Sequence, residues 1–433
     1  LRFVNCCCHN SLRFKAFLMR FCFEDEASLM FLSKSYRTQF IVGTVLLAAI
    51  VSTASHVIKG QEHGRPTRQT VGNGTASIDV FAQGLVLDML TTERDEGDLS
   101  LHHRRSLDGG ETWSAPRLID TSIKPISLAS RGNEPQIVAH EEHVVVHWST
   151  KGTARFGAGP MVTAISNDAG NSWRLGSNPV SDDFSGPQNF ADMTADEKGI
   201  FYVAWIGSHD GPAGRALEVA RSRDFGASWE QHEIVDASSC ACCWNKMIAS
   251  REGDVRVLYR DYGIRDMALA STKNAGESWS LDGTVGKFDW DFQGCPHVGG
   301  GIATATDTEG TEELHALVWT GHSERHGLYW VKSTNDGSTW TAPLPIGGER
   351  ARHADLGISG QTVVAAWDEA RGIWVSVGHG LGTRWSEPRR ISREGFVASH
   401  PIVIQTKDIF RIFWTERDEA GVKAWRSEAL VTE

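Results

Sequence analysis

The 433-residue chain is poor in basic charge, in tyrosine and in long apolar runs. Its 43 lysines and arginines stand against 54 acidic residues, a formal net charge of −11, and no basic stripe is available to neutralise a phosphate backbone. That excludes nucleic acid as a partner. The apolar run from Phe40 to Val51 spans only twelve residues, too few to cross a bilayer. Preceded by Lys34 and Arg37 and followed by Ser52-Thr53-Ala54, it has the pattern of a secretory signal cleaved near Ala54. Met30 stands just ahead of it, so residues 1–29 are expected to be an upstream mis-called start and 30–54 the signal peptide. An uncleaved anchor is the alternative. Either way the body is exported, periplasmic or extracellular, with no membrane span in the mature chain. Four of the eight cysteines (Cys6, Cys7, Cys8 and Cys22) leave with the leader, and the other four all lie between Cys240 and Cys295.

What the chain does have is repetition. One phrase recurs at fixed offsets: Ser106 to Trp113, Ser166 to Trp173, Ser222 to Trp229, Thr272 to Trp279 and Ser333 to Trp340. Each copy places Asp108, Asp168, Asp224, Asn274 or Asn335 two residues before a glycine and five before Trp113, Trp173, Trp229, Trp279 or Trp340. Such a phrase is a hairpin corner: the Asp or Asn oxygen accepts from backbone N–H groups ahead of it, the glycine takes a positive φ, and the Trp returns as an apolar plug. A period near fifty residues means an array of small sheets rather than several domains.

The phrase resembles the Asp-box, or BNR, repeat of the sialidase-like β-propellers, over the span from Ala76 to the end. The resemblance implies an all-β fold, a propeller of four-stranded antiparallel blades in which the boxes are structural. Boxes also occur in propellers that are not sialidases, so the activity stays open. Apolar strands ending in or near an aromatic (Leu85–Leu90, His143–Trp148, Ile200–Trp205, Val255–Tyr259, Leu314–Trp319, Thr362–Trp367 and Ile409–Trp414) mark seven units, each preceded by a shorter strand. The sixth carries a worn box, Gly380 to Trp385. Seven blades are expected over residues 76–433, with six as the alternative, since sialidases have six. The last unit ends after its third strand, and residues 55–75 are a linker or, from Thr67 to Gly74, a closing strand that would hide the open edge.

The boxes join third strands to fourth, so chemistry is expected on the opposite face, where each inner strand begins. Three segments should converge there: Ser239-Cys240-Ala-Cys242-Cys243-Trp244, Gly294-Cys295-Pro296-His297, and the corner Tyr259-Arg260-Asp261-Tyr262-Gly-Ile-Arg265-Asp266. Export makes disulfides the default for the four cysteines, for example Cys243 to Cys295; thiolate ligation of a metal ion with His297 is the other reading. Counting back from each aromatic brings Glu134, Asn189, Cys243, His353 and His400 to comparable places, and with His297, which precedes its blade's longer first corner, they make a ring of donors around the channel. Arg260 and Arg265, with Arg131, Arg350, Arg352 and Arg371 nearby, are candidates to clamp a carboxylate or phosphate, or else to pair with their own neighbours. Asp289-Trp290-Asp291 offers carboxylates and a platform for a sugar ring.

Against true sialidases the chain departs in its parts. The Phe-Arg-Ile-Pro type motif is absent, and none of the five tyrosines lies beyond Tyr329, although that family carries its nucleophile late. Tyr259, or Tyr262 with Asp266 and the two arginines, would serve only in a rearranged site. The expectation is therefore a propeller whose Cys/His/Arg site holds a metal ion or a small anionic ligand. Exo-sialidase-like glycoside hydrolysis and a purely structural, protein-binding disc are the alternatives. The candidate partners are a small molecule, a glycan or a metal ion, and a metal ion is the candidate cofactor.

Overall fold

The computed structural model describes residues 73–120, 124–127, 132–151, 158–180, 186–250, 253–306, 310–407 and 409–431. The leader, the signal and most of the proposed closing strand lie outside the described residues. The remainder is all-β and forms antiparallel meanders that follow the sequence units. The inner strands are Gly74–Gln83, Gln136–His140, Asn189–Ala195, Lys246–Ala249, Gly301–Thr306, Arg352–Ser359 and Val397–Thr406. Each pairs with a second strand (Val86–Asp95, His143–Lys151, Phe201–Ser208, Val255–Arg260, Glu312–Thr320, Thr362–Glu369 or Ile409–Arg417) and that with a third. Inner strands neighbour one another in cyclic order, with Val397–Thr406 returning to Gly74–Gln83. By pairing, the sheets number six among the described residues, because one parallel pairing, Gly74 with Lys423, joins the last meander to the first as a seven-stranded sheet. The core lies between adjacent sheets. Leu258, Leu317 and Val363, from three successive units, share one apolar cluster with Trp319, Trp330 and Trp367.

Every box performs as its chemistry requires. In the second unit Ser166 Oγ donates to Asp168 Oδ1 (2.8 Å) and accepts the Gly170 N–H (2.8 Å), while Asp168 accepts from Ser172 N (2.8 Å) and Ser172 Oγ (2.6 Å). The other Asp copies repeat this set, and the Asn copies keep its backbone N–H bonds while Asn274 Nδ2 and Asn335 Nδ2 donate to Ser278 Oγ and Thr339 Oγ1. The box glycines sit at φ between 79° and 87°, a region that a side chain would strain. The five tryptophans are partly buried, each packed against a core cluster. Leu381 and Gly382 in the worn box keep the same positive-φ pair, at 50° and 81°. The turn geometry has outlived the motif.

Hydrogen bonds hold the exposed box carboxyls low: Thr112 brings Asp108, and Ser172 brings Asp168, down to about 2. A depressed carboxyl contributes stability above its unfolded value that is lost as pH falls through the folded one. Asp168→Asn is therefore expected to be near neutral at pH 7, as Asn274 and Asn335 already are in their boxes, and to remove part of the loss between pH 4 and pH 2. Ser166→Ala strands the buried Gly170 N–H and should cost about 1–2 kcal/mol. Denaturant titration of the two variants checks both, and equal effects at pH 7 would contradict the roles assigned here.

Candidate functional site

The boxes lie between third and fourth strands, the same end of each sheet at which inner strands finish. The three sequence segments gather at the other end, and backbone contacts join them. Cys240 N donates to Arg260 O (2.9 Å), Arg265 N to Trp290 O (2.7 Å), and isolated bridges pair Ser239 with Asp261 and Ile264 with Asp291.

This brings five metal-ligating side chains together. Cys240, Cys242 and Cys243 are buried, with Sγ atoms of Cys240 and Cys242 3.7 Å apart. The ligand atoms of these three lie within 4.8 Å of one another, and so do those of Cys242, exposed Cys295 and exposed His297. Cys242 belongs to both groups. All four cysteines are free, so the expected Cys243–Cys295 disulfide is not formed in this structure. Hydrogen bonds from Cys242 and Cys243 hold the Cys240 thiol low, with Arg265 adding to the effect, while burial pushes Cys243 up.

The arginine corner is built inward. Arg260, 1% exposed, donates to the carbonyls of Arg265, Val298 and Trp319, and its guanidinium lies 5.5 Å from the Trp290 ring centroid. The clamp expected of Arg260 is thus spent on backbone, because it is the peg that fixes the corner to the fifth unit. Arg265 is buried over the Tyr262 ring; Nε donates to Phe292 O (3.0 Å) and Nη1 has no partner. Asp266, a catalytic candidate from sequence, instead accepts the N–H groups of Phe288, Asp289 and Trp290. The Trp290 platform is also a correction: the ring is buried between Arg260 and Phe292, which stacks on it at 5.1 Å, so no face remains for a sugar. Asp289 is exposed at φ 55°. Tyr259 is buried, its hydroxyl 2.5 Å from Asp236. Arg350, Arg352 and Arg371 are exposed, Arg352 over the Trp319 ring; Arg131 lies outside the described residues.

The channel mouth is a separate place. In the third, sixth and seventh units the inner strand carries a β-bulge, where the register skips between Asn189 and Asp192, Arg352 and Asp355, and Ser399 and Ile402. Phe190, His353 and His400 occupy equivalent bulge positions with φ of 56°, 46° and 58°. Counting two residues back from Gln136 and Lys246 places Glu134 and Trp244 alongside them. The equivalent positions around the mouth are therefore Glu134, Phe190, Trp244, His353 and His400, of which Phe190 offers no polar atom; Asn189 and Cys243 sit one residue too early. Trp244 stacks on His353 (4.6 Å) and lies 4.9 Å from His400. His353 Nδ1 is 2.8 Å from Asp368 Oδ2, which also accepts the His400 N–H (3.1 Å).

Below the mouth lies a cavity of about 140 Å³ lined by Glu134, Trp244, His353, His400, Lys423, Asp79, Asp192, Lys246 and Asp355. Asp79, Asp192 and Asp355 each accept a backbone N–H of the following inner strand, from Ile137 (2.8 Å), Met247 (2.5 Å) and Val403 (2.9 Å). The Gln136 amide bridges Asp79 and Asp192, and Lys246 reaches to 4.0 Å from Asp355. Burial, then Asp192, raises Asp79 to about 7; burial lowers Lys423 to about 8 and raises Glu134; burial keeps His400 well below its usual value. None of Asp79, Asp192, Lys246, Asp355, Asp368 or Lys423 was singled out from sequence. The available signal was an Asp between apolar neighbours at one place in three inner strands: Ile78-Asp79-Val80, Ala191-Asp192-Met193 and Ala354-Asp355-Leu356.

A BNR repeat-like domain is matched over residues 80–412, and the chain belongs to that family. Among solved structures it is similar to a polysaccharide lyase described as a PL25 ulvan lyase, at 12% identity and a TM-score of 0.55, over 83% of this chain and 96% of that one. It is likewise similar to the polysaccharide lyase Uly1, at 10% identity and 0.55, over 86% and 93%. The Hadza microbial sialidase Hz136 matches at 17% identity and 0.44, over 67% and 62%. No curated protein matches. The family match and the two lyase likenesses show a β-propeller fold built on BNR repeats, and no helix among the described residues is long and apolar enough to cross a membrane.

Asp79 gives the cavity a pH signature. Its folded value near 7 lies above the ordinary 3.8, so its stabilising contribution is fully present below pH 4 and is lost as pH rises through 7. Asp79→Asn keeps an acceptor for Ile137 N–H and should flatten the decline in unfolding free energy between pH 4 and pH 7; an unchanged slope would show that Asp79 is ionised throughout.

Proposed function

We propose that this chain is an exported, seven-bladed BNR propeller, one blade for each inner strand of the cycle, that binds a transition-metal ion through Cys240, Cys242, Cys243, Cys295 and His297. The observation that carries the reading is the sharing of Cys242 between two three-ligand groups drawn from loops of two units. Propeller construction requires no cysteine at either place. Thiolate-rich sets with imidazole suit Zn²⁺ or Cu⁺ above harder ions. The neighbouring guanidiniums support the same reading: among the described residues neither Arg260 nor Arg265 is in an ion pair, and both lower the charge cost of a thiolate beside them.

Sialoside hydrolysis is not part of the proposal. A nucleophilic Tyr and an arginine trio open to substrate are needed, and here Tyr259 is committed to Asp236 and Arg260 to carbonyls.

Metal analysis of the full-length exported protein, purified without chelators, should find about one Zn or Cu ion per chain at the cysteine cluster, lost in Cys242→Ser with a fall in Tm. Thiol counting on the same sample should give four protected cysteines released by chelator. A metal-free protein with all four cysteines oxidised would overturn the reading in favour of a disulfide-locked structural disc. Release of an aryl sialoside by the purified protein would overturn the exclusion of hydrolysis.

A further inference from the structure

Sequence counting pools His297, His353 and His400 into one ring. The structure separates them: His297 belongs with the cysteines, whereas His353 and His400 meet Asp368 at the channel mouth on the sixth and seventh units. We propose that His353, His400 and Asp368 form a second metal site, independent of the cysteine cluster, for a divalent ion of harder preference such as Mn²⁺ or Fe²⁺. Two imidazoles and one carboxylate are a donor set that leaves coordination positions open, and these three offer ligand atoms within 4.8 Å of one another.

Four features bear on this. Both histidines hold left-handed backbone, a conformation that costs a non-glycine residue free energy and that gathers at functional sites. The bulges that impose it recur in register, so the two imidazoles are delivered to one place by the same device on neighbouring units, with ring centroids 4.5 Å apart. Asp368 already engages both residues, at His353 Nδ1 and at the His400 N–H, so it orients the pair. The group opens on the 140 Å³ cavity, where Glu134 and Lys423 face the same space and where water or a small oxygen ligand can complete a coordination sphere.

The same bulge accepts phenylalanine, since Phe190 occupies it in the third unit, so His353→Phe and His400→Phe preserve the backbone while deleting a ligand. The test is Mn²⁺ titration of the full chain followed by electron paramagnetic resonance, Mn²⁺ being chosen because it disfavours thiolate. One Mn²⁺ per chain is expected, with affinity weakened at least about tenfold in each Phe variant and in Asp368→Asn, and unchanged in Cys242→Ser. Cobalt loading gives a folding control: the sulfur-to-cobalt charge-transfer band of the cysteine cluster should persist in the Phe variants and vanish in Cys242→Ser. Mn²⁺ binding that is absent from the wild type, or equal in wild type and both Phe variants, overturns this site while leaving the cysteine reading untouched. Loss of the cobalt band in the wild type overturns the cysteine reading alone.

Discussion

The structure depends on how one inner strand is tied to the next. In a propeller each inner strand pairs with its own second strand on one side only, and its other edge presents unladdered N–H groups to the neighbouring unit and the channel. Here three carboxylates answer that need on the first, third and sixth units, Asp79 on Ile137, Asp192 on Met247 and Asp355 on Val403. Amide side chains do the same nearer the mouth, where Asn133 accepts from Phe190 N and Asn245 donates to Phe190 O. The solution carries a cost about the axis: three buried acids in one channel cannot all ionise cheaply. Lys246, with its charge favoured first by Asp355, and the bridging Gln136 offset part of that, while burial and then the neighbouring Asp192 push the Asp79 carboxyl up.

The mouth follows from the same constraint. An inner strand that must set its Asp at the neighbour's N–H while keeping its second strand in register absorbs one extra residue, and the bulge does so. The residue forced into left-handed backbone then turns up as Phe190, His353 or His400, each preceding a capping position by two. His400 shows that the device does not require the Asp, since the seventh unit has Ile402 there. A geometric need of the scaffold thereby delivers two imidazoles to the channel beside Trp244, whose indole stacks on them from the fourth unit. Scaffold and site share the same residues, so neither can drift without the other.

How much of this was legible beforehand divides by range of interaction. The Asp boxes are local: donor, acceptor, glycine and Trp lie within eight residues, so the phrase itself dictates Asp168 on Ser172 N and Gly170 N on Ser166 Oγ. Their placement assigns every other loop to a face, and the convergence of Cys240, Cys295 and Arg265 followed from that counting. What failed required knowing a partner far along the chain. Arg260 looked available because its carbonyl partners at Val298 and Trp319 are 38 and 59 residues away. Trp290 looked like a platform because the guanidinium over one face comes from Arg260 in another loop, and sequence does not say that Phe292, its near neighbour, folds back to stack on the ring. Asn189 and Cys243 were displaced by one residue because distance to an aromatic cannot see a bulge. The inner-strand aspartates were visible and passed over, a charged residue in a buried strand being the signal.

The arginine corner shows why the cysteine cluster is more than a packing choice. Burying a guanidinium without a carboxylate is costly, and backbone carbonyls repay hydrogen bonds but not charge. Arg260 and Arg265 are two such cations, 1% and 6% exposed, and Asp266, the acid nearest in sequence to Arg265, is occupied by three N–H groups of the following loop. Asp261 faces Arg265 from the same corner, and the thiols add to it, Cys240 beside Arg265 and Cys243 beside Arg260. Neutral thiols or a disulfide would leave Arg260 without that support. A bound ion with several thiolates carries net negative charge of its own, and in that state the corner, the cysteines and the loop that brings Cys295 and His297 become one electrically balanced unit.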